Sequence, residues 1–176
     1  MQRALLFLVG AAATALAATA GGCTDAKHRA PGRVHDEDQG FSIVPPAGWR
    51  RLDRYGSSFL TFEGLADAGG PARLTVVAER DPKASIGTLA HAARSALAKF
   101  REGFAAEEEG FTEIESRPCY RLVGRFTKQD RPMKILHYVL RSRGRKVYYL
   151  SFVAPAACFD ANRPAFEESA RSARID

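Results

Sequence analysis

The sequence lacks the short motifs that mark the most common catalytic sites. It contains no G-x-x-x-x-G-K-[ST], no G-x-S-x-G, no C-x-x-C, no H-E-x-x-H and no G-x-G-x-x-G pattern. These absences argue against a P-loop nucleoside triphosphatase, an α/β-hydrolase, a dithiol oxidoreductase, a zincin protease and a dinucleotide-binding enzyme. The composition is otherwise that of an ordinary globular protein, with 45% hydrophobic and 26% charged residues. We therefore predict no cofactor and no resident metal.

The chain begins with an apolar run that is too short to cross a bilayer. Gln2 and Arg3 give a short positive end, and Ala4–Ala18 contains no charged residue. A transmembrane helix needs about 20 apolar residues, whereas the apolar part of a secretory signal has about 7–15. We interpret residues 1–22 as a signal peptide, which would place the mature protein outside the cytoplasm.

Cysteine is scarce, with three residues in the chain, and Cys23 directly follows the predicted signal peptide. The segment TAGGC, residues 19–23, resembles the bacterial lipobox, in which small residues precede a cysteine that becomes the acylated N-terminus. Ala20 stands where leucine is usual. Ala18-Thr19-Ala20 also satisfies the small-x-small rule of ordinary signal peptidase, so plain secretion is the alternative. We predict lipidation at Cys23, since two or three acyl chains hold a protein stably on a membrane.

Residues 23–39 have the composition of a flexible tether. They are rich in charged residues, and Val34 is their only large apolar residue. Such a segment buries too little apolar surface to offset the entropy cost of ordering it. The predicted organisation is a signal peptide (1–22), a lipidated tether (23–39) and one globular domain (40–176). By resemblance to proteobacterial sorting rules, Thr24 in place of Asp favours the outer membrane.

Cys119 and Cys158 are the two cysteines left when Cys23 is acylated. An oxidising envelope favours a disulfide between them, which would contribute roughly 4 kcal/mol in the chain-entropy model. In a three-strand meander, however, Cys119 starts the first strand and Cys158 follows the third. The two thiols are then expected about 20 Å apart. A disulfide and two buried thiols are both open at this point.

The charge distribution is uneven although the net charge is small. The formal charge of +6 becomes +5 when Arg3 is removed with the signal peptide, which is too mild to indicate nucleic-acid binding. Residues 117–146 contain ten Arg or Lys and one acid, whereas residues 102–115 contain six Glu and no base. The simplest interpretation is a set of solvated edges and loops, with Glu107–Glu109 in a loop. The alternative is a basic sheet face for anionic headgroups or an acidic partner, with Arg121, Arg125 and Arg141.

The spacing of apolar residues predicts an α+β domain. A stripe at steps of three or four residues from Ile86 to Phe104 predicts a long helix, with Ser85 as its N-cap and Gly103 as its stop. A closing helix is predicted after a cap at Asn162. Alternating residues predict the strands Gly40–Val44, Ser58–Glu63, Arg73–Glu79, Phe111–Glu115, Cys119–Thr127, Lys134–Ser142 and Lys146–Val153. The last two are apolar on both faces, which is typical of central strands covered on both sides. We expect a single antiparallel sheet flanked by helices.

This order of elements resembles the PsbP/Mog1-like fold, with an opening hairpin, strands, a long helix, a strand meander and a closing helix. The resemblance covers residues 40–176 and is carried locally by GFSIVPPAGW, residues 40–49. It implies an α/β/α sandwich in which Phe41 and Trp49 hold the opening hairpin on the sheet. The family includes extrinsic photosystem II subunits, a Ran-binding protein and many bacterial lipoproteins. Because its members act chiefly by binding or by assisting assembly, the resemblance implies no catalytic residues.

His137 alternates with Ile135 and Val139 on a predicted central strand, and we expect it to be a hydrogen-bonded core residue. One alternative function is a small secreted hydrolase or metal-dependent enzyme in which His137 meets Cys119 and Cys158. Another is a carrier with a cleft for a small apolar ligand. We favour a lipid-anchored, non-catalytic protein of the bacterial cell envelope that faces the periplasm or the surface. It would bind an envelope protein or anionic headgroups, and no nucleic acid.

Overall fold

The computed structural model describes residues 32–53, 56–67, 70–80, 84–144 and 146–176. Over these ranges the chain forms the following strands and helices: β1 (Val34–Asp36), β2 (Phe41–Ile43), β3 (Arg50–Leu52), β4 (Leu60–Asp67), β5 (Gly70–Arg80), α1 (Ile86–Phe100), β6 (Glu102–Ile114), β7 (Arg117–Lys128), β8 (Arg131–Arg141), β9 (Lys146–Pro155), α2 (Ala156–Arg171) and β10 (Arg174–Ile175). No helix within them has the length and apolar character to cross a membrane. Cys23 and the predicted signal peptide lie outside the described residues.

Seven strands form one antiparallel sheet in the order β3-β4-β5-β9-β8-β7-β6. Strands β7, β8 and β9 form the predicted meander, and β5 pairs with β9 so that Val76 faces Leu150. The central strands β8 and β9 are buried on both faces, as their apolar sequences predicted. On β8, for example, the adjacent residues Ile135 and Leu136 are both fully buried. The predicted α+β class is confirmed, and a second, three-stranded sheet accompanies the large one.

The helix α1 covers one face of the large sheet with its apolar side. The hydroxyl of Ser85 caps it by accepting a hydrogen bond from the backbone N–H of Thr88 at 3.1 Å. The residues that α1 buries are Leu89, Ala90 and Ala93. The predicted helix is confirmed but ends at Phe100. Phe104 lies in β6 instead, where its ring still packs against the apolar cluster beneath α1.

The opposite face carries α2 and the three-stranded sheet, whose order is β1-β2-β10. The ring of Phe166 in α2 stacks on Phe152 of β9 with centroids 5.3 Å apart. Trp49 meets Phe166 edge-on at 5.6 Å, and Phe41 packs against Tyr148 at 5.3 Å. Phe41 and Trp49 therefore hold the opening hairpin on the sheet as predicted. With both faces covered, the domain is an α/β/α sandwich.

The helix α2 begins at Ala156 rather than at the predicted cap, Asn162. Asn162 lies inside the helix, where its Nδ2 donates to the carbonyl of Cys158 at 2.8 Å. The additional first turn is stabilised by Phe159, which is fully buried against Phe166. Pro164, which a helix starting at Asn162 would have placed in its first turn, also lies inside the helix.

The edge strand β6 is longer than predicted. The sequence indicated a short strand at Phe111–Glu115 and a solvated loop at Glu107–Glu109, but one strand runs from Glu102 to Ile114. The loop prediction was wrong because basic side chains of neighbouring elements hold these glutamates. The register between β6 and β7 also shifts at two positions. Bulges and charges of this kind are common on edge strands, where they discourage pairing with another chain.

The folded domain begins before Gly40. The strand β1 lies within residues 23–39, the predicted tether, and pairs antiparallel with β2 so that Val34 faces Ile43. Arg33 adds a hydrogen bond from Nη1 to the carbonyl of Ser172 at 2.8 Å. Backbone pairing therefore orders Val34–Asp36, although the polar composition around them indicated no structure.

Candidate functional site

The helix α1 leaves part of its own face of the sheet uncovered. It packs mainly over β6, β7 and β8, and the sheet continues beyond it through β9, β5 and β4. A groove of about 410 Å³ lies on this uncovered part, along alternate residues of β5: Arg73, Thr75 and Val77. These residues span about 13 Å of strand. We call this feature the cationic groove, for the residues that line it.

The cationic groove combines an apolar part with basic and hydroxyl groups. Its apolar side chains include Val77, Met133 and Val153, and its hydroxyl groups come from Ser57, Ser58 and Thr75. Its basic residues are Arg73, Arg101, Lys128 and Arg131. The basic residues come from β5, the end of α1 and the β7–β8 hairpin, so that only the folded chain brings them together.

The β7–β8 hairpin places two of these cations side by side. Lys128 and Arg131 are register partners across the turn. The turn residues Gln129 and Asp130 have φ angles of 51° and 59°. Positive φ at both central residues is the type I′ geometry, whose twist matches that of the two strands it joins. The hairpin therefore presents Lys128 and Arg131 as a pair at one end of the groove.

Arg73 is the cation of the groove that an acid neutralises. Its Nη2 donates to Oε1 of Glu63 at 2.6 Å, and Nη2 of Arg50 donates to Oε2 at 2.8 Å. The hydrogen bonds from Arg73 and then Arg50 hold the pKa of Glu63 below its ordinary value. Glu63 therefore stays ionised and offsets the positive charge of Arg73 and Arg50.

The other three cations have no such acid. None of the ion pairs formed within the described ranges involves Arg101, Lys128 or Arg131. The guanidinium of Arg101 lies 5.0 Å from the ring centroid of Phe126, a cation–π contact. Lys128 and Arg131 are exposed. Positive charges gathered at one concave surface create a potential that attracts anions, so the groove is suited to an anionic ligand.

His137 is buried on the face of α1 and is 6% exposed. Its Nδ1 lies 2.9 Å from Oγ of Ser151, and its ring stacks on Tyr149 with centroids 6.1 Å apart. Burial, and secondly the positive charge of Arg101, lower the pKa of His137 to about 4. The ring is therefore neutral at neutral pH. The predicted hydrogen-bonded core histidine is confirmed.

Comparison with models of protein families finds no match, and comparison with curated proteins finds none. Solved structures do match. LpqN of Mycobacterium tuberculosis, which is involved in cell envelope biogenesis, matches with a TM-score of 0.65 and 17% identity, over 81% of this chain and 88% of LpqN. Cyanobacterial PsbP (CyanoP) from Synechocystis sp. PCC 6803 gives 0.63 and 16%, over 82% and 91%. The Ran-binding protein Mog1p of Saccharomyces cerevisiae gives 0.61 and 10%, over 81% and 94%.

The chain has a PsbP/Mog1-like fold. The resemblance drawn from the order of the elements is therefore confirmed for the fold. At these levels of identity the likeness extends to the architecture, and function has to be argued from the site itself.

In this PsbP/Mog1-like domain the sheet separates His137 from both cysteines. Cys119 of β7 belongs to the apolar cluster on the α2 face, and Cys158 in the first turn of α2 packs against the same cluster. His137 lies on the other face, opposite Leu122. Among the described residues, no group of three His, Cys, Asp or Glu side chains is placed to hold a metal ion. The metal constellation of the enzyme alternative therefore does not form from these residues.

No disulfide joins Cys119 and Cys158, the two cysteines in the described ranges. Cys119 pairs with Leu140 of β8, and Pro155, which directly precedes the helix that carries Cys158, pairs with Met133 of β8. Leu140 and Met133 lie about 23 Å apart along the strand, whereas a disulfide allows about 7 Å between Cα atoms. Burial also raises the pKa of the Cys119 thiol to about 11, which disfavours the reactive thiolate.

The structure does not bring together the three arginines of the predicted basic face. Arg121 and Arg125 lie on the α2 side of β7, together with Val123, whereas Arg141 lies on the α1 side of β8, together with Val139. The charge of Arg121 is compensated by Glu108 at 3.1 Å and Glu167 at 2.8 Å. These three arginines therefore do not form one continuous surface patch.

Sequence reasoning missed the cationic groove because half of its basic residues lie outside the basic run. Lys128 and Arg131 belong to residues 117–146, but Arg73 and Arg101 carry no local signal. The sequence does contain one signal for the groove. Lys128 and Arg131 flank the turn Gln129-Asp130, and a two-residue hairpin places such flanking residues side by side.

Proposed function

We propose that this protein is a lipid-anchored, non-catalytic protein of the bacterial envelope that binds a partner protein, or assists its assembly, through the cationic groove. The observation that carries the proposal is the set Arg101, Lys128 and Arg131, which lines one concave surface and enters no ion pair among the described residues. Several bases outside the groove, such as Arg121 and Arg163, are instead paired with acids. Uncompensated charge at a concave site favours a partner of complementary charge.

The anchor is supported by the sequence around Cys23. Small residues precede this cysteine directly after an apolar run, and Thr24 favours the outer membrane. Residues 24–33 would then link the lipid to β1. Fully extended, they would reach at most about 35 Å, so the domain would stay near the membrane surface.

Two structural neighbours support the proposal by analogy, one for binding and one for the envelope. Mog1p is a Ran-binding protein, and LpqN is involved in cell envelope biogenesis. Because one fold hosts many functions, the analogy supports the class of function and leaves the partner to be identified from the groove.

The placement of His137 supports the non-catalytic part of the proposal. A histidine acting as a general base needs a pKa near the working pH and a position within reach of the group that it deprotonates. The pKa of His137 is lowered to about 4, and the sheet separates its ring from Cys119. The enzyme alternative would need a pKa of His137 near neutral pH and a cysteine on the same face of the sheet.

The anchor is tested by fractionation of cells that produce Cys23→Ala or, as a matched control, Cys158→Ala. We expect the wild-type protein and Cys158→Ala to sediment with membranes and Cys23→Ala to stay in the soluble fraction. Sedimentation of Cys23→Ala with the membranes would contradict lipid anchoring.

Partner binding is tested by crosslinking in cells, followed by purification of the protein from envelope extracts. The wild-type protein is compared with Lys128→Glu/Arg131→Glu, which reverses two charges of the groove, and with Arg125→Glu/Arg143→Glu, which reverses two exposed charges elsewhere. We expect one discrete adduct that only the groove variant loses. If the wild-type protein forms no adduct, partner binding is refuted.

A further inference from the structure

We propose that the cationic groove binds an acidic, extended segment of a partner protein, with the carboxylates of the segment between Arg101, Lys128 and Arg131. This inference rests on the proposed function and adds to it the chemistry of the partner. Each step below uses a different property of the groove.

The length of the groove suits a short extended peptide. Its floor follows β5 from Arg73 to Val77, about 13 Å. An extended chain advances about 3.3 Å per residue, so this part of the groove accommodates about four residues. The volume of about 410 Å³ leaves room for their side chains on an open surface.

The residues that line the groove change along its length, and this favours one position for the carboxylates of the bound segment. The β7–β8 hairpin supplies Lys128 and Arg131 at one end, and the segment Gly56–Ser58 lines the other. Gly56–Ser58 also lines a second groove of about 590 Å³ that contains Asp36, Asp38 and Asp53. These acids would repel a carboxylate near Gly56–Ser58, so acidic residues are favoured at the hairpin end.

The apolar and hydroxyl groups suit the remainder of such a segment. Val77 and Val153 are half-buried, and Met133, which is 9% exposed, lies beside them. Hydroxyl groups such as those of Thr75 and the exposed Ser57 both donate and accept hydrogen bonds, as the backbone of an extended peptide requires. The groove therefore offers contacts to the apolar and backbone parts of a peptide as well as to its charges.

The position of the groove favours a protein segment over the headgroups of the anchoring membrane. The first strand, β1, packs on the α2 face of the large sheet, whereas the groove lies on the α1 face. The tether enters the domain at the start of β1. The groove is thus on the face of the large sheet opposite the strand to which the tether is attached.

The inference is tested by fluorescence anisotropy on the full chain in a zwitterionic detergent. The probe is a fluorescein-labelled hexaglutamate peptide, and hexalysine with the same label is its control. The proteins are the wild type, Lys128→Glu/Arg131→Glu and Arg125→Glu/Arg143→Glu, and thermal unfolding confirms that all three are folded. The two variants change the net charge equally, so a difference between them reports the location of the charge.

We expect hexaglutamate, and not hexalysine, to bind the wild-type protein, and its affinity to fall as salt is added. The groove variant should bind about tenfold more weakly, equivalent to about 1.4 kcal/mol, and the control variant should bind as the wild type does. No binding of hexaglutamate, or equal losses in the two variants, would overturn the inference. Tighter binding of dihexanoyl phosphatidylglycerol or of inorganic phosphate than of hexaglutamate would overturn it as well, in favour of a headgroup or a free anion.

The crosslinking experiment separates failure of this inference from failure of the proposed function. If hexaglutamate does not bind but the groove variant still loses the adduct formed in cells, partner binding stands and the acidic segment is refuted. If neither the peptide nor an adduct is observed, both proposals are refuted.

Discussion

Glu108 on the edge strand β6 and Arg163 on α2 are joined by two parallel hydrogen bonds, from Nη1 to Oε1 at 2.8 Å and from Nη2 to Oε2 at 2.7 Å. Arg121 of β7 donates to the same carboxylate, and both arginines also donate to Glu167. The hydrogen bonds from Arg163 exceed the opposing effect of burial and lower the pKa of Glu108 to about 2. This network ties α2 to the edge of the sheet.

Glu108→Gln should therefore destabilise the domain. Because Glu108 is 46% exposed, water screens the pair, and we expect a loss of about 1 kcal/mol in the free energy of unfolding. Glu113→Gln is the matched control, since Glu113 lies on the same strand and enters no ion pair within the described ranges. Urea denaturation measures both variants. Equal stabilities would show that the network contributes nothing measurable.

Gly64→Ala should destabilise the domain by steric conflict with Trp49. A Cβ atom at residue 64 would lie 2.8 Å from Nε1 and 2.9 Å from Cε2 of the indole. We expect a loss of about 1–3 kcal/mol in the free energy of unfolding, monitored by the fluorescence of Trp49, the single tryptophan.

Gly110→Ala is the control for this steric prediction. Gly110 is also a strand residue, but a Cβ atom there would meet nothing within 4 Å. Because alanine loses less backbone entropy on folding than glycine, we expect Gly110→Ala to be neutral or slightly stabilising. A loss at residue 110 as large as that at residue 64 would argue against the conflict with Trp49.

His137 should make the domain less stable as the pH falls from about 6.5 to 4. In the unfolded chain the imidazole takes up a proton near its ordinary pKa of 6.5, whereas burial lowers the pKa in the folded state to about 4. Between these values the unfolded state binds more protons, so acid favours unfolding, by up to about 3 kcal/mol below pH 4. Above pH 6.5 the contribution vanishes, since both states are neutral.

The variant His137→Asn removes this titration while keeping a polar group near Ser151. Its free energy of unfolding, from urea denaturation at a series of pH values, should change less than that of the wild type between pH 6.5 and 4. The contribution of Glu108 falls in a lower window, from about pH 4.5 to 2, so the two effects are separable. Parallel curves for both proteins over the upper window would count against a buried, neutral His137.

The parts of the fold that the sequence predicted are those with one dominant pattern of apolar residues. The helix α1 repeats its apolar residues along one side after the cap Ser85, and residues 135–140 of β8 are buried on both faces, as the nearly continuous apolar run indicated. The errors arose where tertiary contacts opposed local signals. Phe159 extends α2 past the apparent cap at Asn162, and paired bases allow Glu107–Glu109 to lie in a strand.

The cationic groove was beyond sequence reasoning for a different reason. A run of bases does not show which of them meet acids in the folded chain. Arg121 is compensated by Glu108 and Glu167 across the sheet, whereas Lys128, seven residues later, enters no ion pair among the residues that the structure describes. The packing of α2 and the strand register determine which bases meet an acid and which do not.

The most direct test of the account is photocrosslinking in cells from two positions on the same strand. Lys128 lines the cationic groove, and Arg125 is exposed on the opposite face of β7. Each is replaced in turn by a photoreactive amino acid. The account predicts a discrete protein adduct from position 128 and none from position 125. An adduct from position 125 alone, or the same adducts from both positions, would contradict it.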